Sequence, residues 1–290
     1  MGKCSFGMLD DKQIFEVKKL ASETRQFFGV HPNVPIGNDI RLLLEKKDIL
    51  LCEYPFSDTN ETHTYGNITW FKTNNETITF IGLNTSSYYD EQIFAIAHEI
   101  YHYTTKTGKA YTPHMDYEDK MIEKQADRFA AELLLPSESL KIAVMETFDS
   151  PEMFDISDNR AFRFIARIQC DWWLPYRAIV NRLYEEKIIS SEQYDVLYVQ
   201  DCRSENGMYR RLLKNIDSEI ADLLNKKTKT TGVSNRIVET VINNYEDGLI
   251  DDDEFVNTLI MFGKEPDDFG FHMDVELDDE LRDMFESEGD

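Results

Sequence analysis

The pattern that most constrains this chain is Ile93-Phe-Ala-Ile-Ala-His-Glu-Ile-Tyr-His102. Its apolar residues recur at helical spacing, so residues 90–105 read as a heavily buried helix that Gly108 ends. Within it, His98 and His102 stand four positions apart, on one face, where both imidazoles can point at a single ion. Glu99 projects in an adjacent direction and can reach a water on that ion. Two histidines and a glutamate among so many apolar side chains are costly to bury unless something satisfies them. A zinc ion does so economically. The fold must therefore bury this helix while leaving one stretch of it open to metal and solvent.

Catalytic zinc needs a third protein ligand and an open position for water. The next long helix, about 117–134 and closed by Pro136, offers Glu123-Lys-Gln-Ala-Asp127. One helical turn separates these carboxylates, so both face the same way. Glu123 is the candidate third ligand. Asp127 is placed to accept the distal ring N–H of a ligand histidine, fixing its tautomer. Glu118 sits in the first turn and Glu132 lies off this face. Ala126, Ala130 and Ala131 let the two helices approach closely. One zinc per chain would lower the pKa of its water to about 7 and polarise a scissile carbonyl, with Glu99 moving the proton to the leaving amine. An oxyanion needs a further donor. Tyr111, His114 and Tyr117 qualify by their place between the two metal-binding helices, and the choice among them stays open.

Around this centre the pattern predicts an α+β fold. Helices at 11–28 and about 38–47 precede an apolar strand at 49–54. Residues 67–72 and 77–83, rich in β-branched and aromatic residues, form strands joined by Thr73-Asn-Asn-Glu76. The result is a small, mainly antiparallel sheet packed on a zinc-binding helical core. After residue 158 nearly everything reads as helix, with segments in 162–184 and around 191–200, 208–226, 233–246 and 252–262. The expected organisation is a zincin-like domain over 1–150, a packed helical region over 151–200, an acidic helical region over 201–273 and an acidic tail over 274–290. The strand at 77–83, just before the metal-binding helix, is expected to border the cleft and pair with substrate through Phe80, Ile81 and Leu83.

Charge narrows the partners. The chain carries 31 basic and 55 acidic residues, a net charge of −24. Residues 1–150 contribute −8 and residues 151–290 contribute −16. Such a surface repels phosphate backbones, which disfavours direct nucleic-acid binding, and attracts a basic protein. No run approaches the roughly 18 apolar residues that span a bilayer. Met1–Phe6 lacks a secretory or myristoylation pattern, and Cys4, Cys52, Cys170 and Cys202 are scattered, so a cytoplasmic location is expected. Asn243–Glu254 mimics a calcium-binding loop, but Tyr245 at the third position is a poor ligand. An acidic connection between helices is the better reading.

The pair Gln92–His102 and Glu123-Lys-Gln-Ala-Asp-Arg-Phe-Ala-Ala-Glu-Leu-Leu-Leu-Pro136 resembles the ImmA/IrrE family of metallopeptidases. The strand ending Ile81-Gly-Leu-Asn84 and the helical segment 162–200 extend the resemblance to about residues 10–200. Gln125 stands where many relatives have an acidic residue, off the Glu123/Asp127 face. The resemblance implies a gluzincin-like fold and cleavage of a protein, typically a helix-turn-helix repressor. A different class of function fits the same ligands: a zinc-containing scaffold that recognises a partner without cutting it. Glu99 separates the two, because ligation alone needs no general base.

Overall fold

The computed structural model of the chain describes residues 9–56, 65–72, 77–107 and 117–272. Helix α1 (Asp11–Phe27) begins at Asp10, whose carboxylate accepts the Gln13 N–H at 2.8 Å while Gln13 Oε1 accepts the Asp10 N–H at 2.9 Å. This reciprocal cap satisfies donors that a helix start leaves free. Helix α2 (Ile40–Glu45) leads into β1 (Ile49–Tyr54), followed by β2 (Gly66–Lys72), β3 (Thr77–Asn84), α3 (Tyr89–Thr105) and α4 (Tyr117–Leu134). Pro136, expected only to close α4, also opens α5 (Ser137–Phe148). At a helix start the missing proline N–H costs nothing. Helices α6 (Asp158–Trp172), α7 (Tyr176–Glu185) and α8 (Ser191–Tyr198) come next. The helix expected over 208–226 is broken at Asp217 into α9 (Met208–Ile216) and α10 (Ser218–Leu224), because Asp217 is extended and its side chain caps α10.

The fold is α+β. Among the described residues the sheet has the order β2-β3-β1-β4, with β4 only Gly232–Val233. Strand β3 runs antiparallel to β2 and parallel to β1, and β4 is antiparallel to β1. Alternation puts Ile68 of β2, Ile81 and Leu83 of β3, and Ile49 and Leu51 of β1 on the buried face. Helix α3 packs against β2 and β3, α4 against α3, and α1 against α4. Helix α3 is thus sandwiched between sheet and helices, as its apolar composition requires.

Beyond α8 the chain returns to this core. Tyr209, Leu213, Ala221 and Leu224 are fully buried in the same cluster as Val17 and Ile96. Tyr209 donates to Gln169 on α6, and Gln169 donates to Asp90 at the start of α3. The Lys226 carbonyl accepts the Tyr89 N–H, Lys229 N–H donates to Thr85, and Ser234 Oγ accepts the Leu51 N–H. Only after residue 234 does a second, small core form, with Val238 of α11 (Asn235–Glu246) and Phe255 and Leu259 of α12 (Asp252–Met261) at its centre. Residues 235–290 carry 19 acidic and three basic side chains, so the whole −16 of the second half lies there. Tyr245 stacks on Phe255 and donates to Asp252, so it is a packing residue of the α11–α12 connection.

A buried ionic cluster fastens the C-terminal end of α4 to α7. Glu132 accepts from Arg128 at 3.1 Å, from Arg182 at 2.7 Å and from the Ser137 backbone at 2.8 Å. Glu186 accepts from Arg128 and from Lys18 of α1. No described helix is long and apolar enough to cross a membrane.

Candidate metal centre

Helices α3 and α4 bring three donor groups together. His98 Nε2 lies 3.2 Å from His102 Nε2 and 3.1 Å from Glu123 Oε2, and His102 Nε2 lies 3.6 Å from Glu123 Oε1. Tetrahedral zinc bonds of about 2.0–2.1 Å put neighbouring ligand atoms about 3.3 Å apart. Two imidazoles and one carboxylate, spaced this way, fit such an ion. Among the described residues no other group of three histidine, cysteine or acidic side chains does. Asp127 Oδ1 sits 2.9 Å from His98 Nδ1, on the side of the ring away from Glu123. Thr107 Oγ1 is 3.1 Å from His102 Nδ1, giving the second imidazole a fixed partner as well.

Electrostatics polarise the four groups differently. Burial disfavours a charge on His98, but hydrogen bonds to Asp127 and Glu123 more than offset it and push the ring up to about 10. Burial and the neighbouring charge of His98 hold His102 down at about 4, so it stays neutral. Glu123 is only half-buried, and the two imidazoles keep it below the usual carboxylate range despite that burial. Glu99 is 6% exposed. Burial, with the nearby Glu123 carboxylate adding, pushes it up to about 7 against the pull of His98. A carboxyl titrating near neutrality is suited to taking and returning a proton.

The start of α3 is anchored by parts of the chain distant in sequence. Asp90, fully buried, accepts from Arg203 at 2.8 Å and from Gln169 at 3.0 Å. Arg203 also reaches Glu91 and Asn225. Gln92 donates to Ser87 O and Thr228 Oγ1 and accepts from Arg41. At its far end α3 stops where Lys106 adopts a left-handed conformation, which turns Thr107 back beneath His102.

The structure brings His98, Glu99, His102, Glu123 and Asp127, expected from the sequence, to one place. Thr107 and Gly66 join them without having been expected. A threonine after an unremarkable helix end carries no signal. Gly66 opens β2, and a Cβ there would lie 3.5 Å from both Cγ and Oε1 of Glu99, so this strand runs beside the acid. Tyr111 and His114 lie outside the described residues, as do the 73–76 connection and the 274–290 tail; Tyr117 is the first residue of α4. The expectation that Phe80, Ile81 and Leu83 offer a free edge is corrected. Strand β3 is paired along both sides, to β2 and to β1, and Ile81 and Leu83 are fully buried. Its main-chain groups are used within the sheet, so no peptide can add to it. Among the described residues the edge strand nearest the candidate metal centre is β2.

Residues 44–162 match the family model of M78 peptidases described as the IrrE N-terminal-like domain. No curated protein and no solved structure matches the chain.

Proposed function

From the premise that the chain belongs to the ImmA/IrrE family through residues 44–162, we propose that it is a zinc metallo-endopeptidase that cuts a regulatory protein. The observation that carries this is the spacing of His98, His102 and Glu123 with the buried Glu99 beside them. His98, His102 and Glu123 would hold one zinc ion. When bound, the ion supplies Lewis acidity, acidifying a water and polarising a carbonyl. Glu99 takes the proton of the attacking water and passes it to the departing amine. Asp127 and Thr107 keep the two imidazoles in the tautomer that leaves Nε2 free. The outer edge of β2, which starts beside Glu99, holds the peptide extended by main-chain pairing.

The favoured substrate is a basic DNA-binding repressor of the helix-turn-helix class, met in the cytoplasm. Its support is the family resemblance together with the −16 of residues 235–290, which accelerates encounter with a positively charged partner. The test is to incubate zinc-loaded full-length protein with the repressors of its own cell. Wild-type protein should cut one of them and Glu99→Gln protein should cut none. Tight binding without cleavage by the wild type would favour the scaffold reading, and equal cleavage by both proteins would remove Glu99 from the chemistry.

A further inference from the structure

Where β2 and α3 run side by side, a second feature follows the acid at Gly66. Four residues along the strand from Gly66, and on the same face of it, Trp70 lies beneath Lys106, which also covers Tyr103. The Lys106 ammonium lies 4.1 Å from the Tyr103 ring centre and 5.7 Å from that of Trp70. In a chain of net charge −24, no carboxylate among the described residues lies within ion-pairing distance of it. Partial burial lowers its pKa. The Trp70 indole N–H is shielded from solvent and has no acceptor among the described residues. Among the described residues this corner therefore presents a cation and aromatic walls but no carboxylate, at the edge strand of the sheet and beginning one residue past His102.

We propose that Trp70, Tyr103 and Lys106 form a specificity subsite that selects an acidic side chain of the bound peptide. This rests on the peptide-binding reading of the β2 edge given above. A carboxylate is the group that supplies the missing acceptor, and Lys106 grips it in a charge-assisted hydrogen bond while the two rings flank its methylene stem. At about 3.3 Å per residue, Trp70 stands about 13 Å along the strand from Gly66. The selected residue thus lies about four positions from the one presented to Glu99. The overall negative charge and this local preference act at different ranges. The first works on the approach of a whole basic protein, the second on one side chain in contact.

The experiment uses a decapeptide library in which Glu, Gln or Lys is fixed at each position in turn. Binding is measured on zinc-loaded full-length Glu99→Gln protein, so that cleavage does not enter, and cleavage is measured separately on wild-type protein. Glu should be preferred over Gln at one position by about tenfold, as expected for a hydrogen bond to a charged group. The preference should vanish when Lys106→Met is added and turn towards Lys when Lys106→Glu is added, with unchanged melting in both. No acidic preference, no binding at all, or a preference unaffected by Lys106→Met would each overturn the subsite. Acid-selective binding with no cleavage by the wild type would leave the subsite standing and sink the peptidase reading.

Discussion

Glu99 and His98 are sequence neighbours held in opposite electrostatic conditions. Glu99 is buried against β2 with no basic side chain hydrogen-bonded to it among the described residues, whereas His98 is clasped by two carboxylates. Replacing Glu99 with Gln changes proton transfer and little else, so cleavage should fall by about 10²- to 10⁴-fold with melting and zinc content unchanged. Loss of zinc from that variant would show that Glu99 is a ligand. His98 yields a pH prediction. Its folded-state pKa is raised from 6.5 to about 10. The proton it holds therefore stabilises the metal-free protein fully below about pH 6.5, and that contribution is lost as pH rises through about 10. Zinc requires the neutral ring and must displace this proton. Zinc affinity should then rise about tenfold per unit between pH 7 and 9, with about one proton released per ion. Chelator-competition titrations at several pH values would check it; a flat profile would mean that His98 is already neutral without metal.

At the scale of elements, α4 has two jobs at its two ends. Its first half carries Glu123 and Asp127, and its second half is locked to α7 by Glu132, Arg128 and Arg182. Arg182 is fully buried, so Arg182→Ala strands buried carboxylates and should cost about 3–5 kcal/mol in urea unfolding. A loss below about 1 kcal/mol would show that Arg128 alone neutralises the cluster. Helices α3 and α4 were legible in the sequence because their apolar periodicity and the spacing of their candidate ligands agree. Strand existence was legible too, from β-branched and aromatic runs. Strand order was not, since pairing β3 between β2 and β1 joins residues 30 positions apart on one side, where no local pattern records it. Two-residue β4 and the helix starting at Pro136 were invisible for related reasons. The first exists only through its partner, and the second begins at the residue that ends its predecessor.

For the whole molecule, the decisive division lies after Ser234. A chain ending there keeps the main core, β4 and the anchors of α3, and sheds the small α11–α12 core with two-thirds of the net charge. It should fold, bind one zinc, and cut a basic substrate more slowly at low salt, with the difference closing as salt rises. A chain ending at residue 200 should fail to fold, because it lacks Tyr209, Leu213 and Leu224 and leaves Asp90 buried without Arg203. Solubility and a cooperative melt from that shorter chain would contradict this account. The anchoring of α3 also sets a timetable. A ribosome finishes every residue of the candidate metal centre by Asp127, yet Arg203, Lys226 and Thr228, which fix the start of α3, come 76 to 101 residues later. At about 5–20 residues per second, several seconds of synthesis separate the two events. Throughout that interval the nascent chain carries its candidate ligands and Glu99 without the contacts that fix the start of α3, so the site gains its full support only seconds after its residues are made.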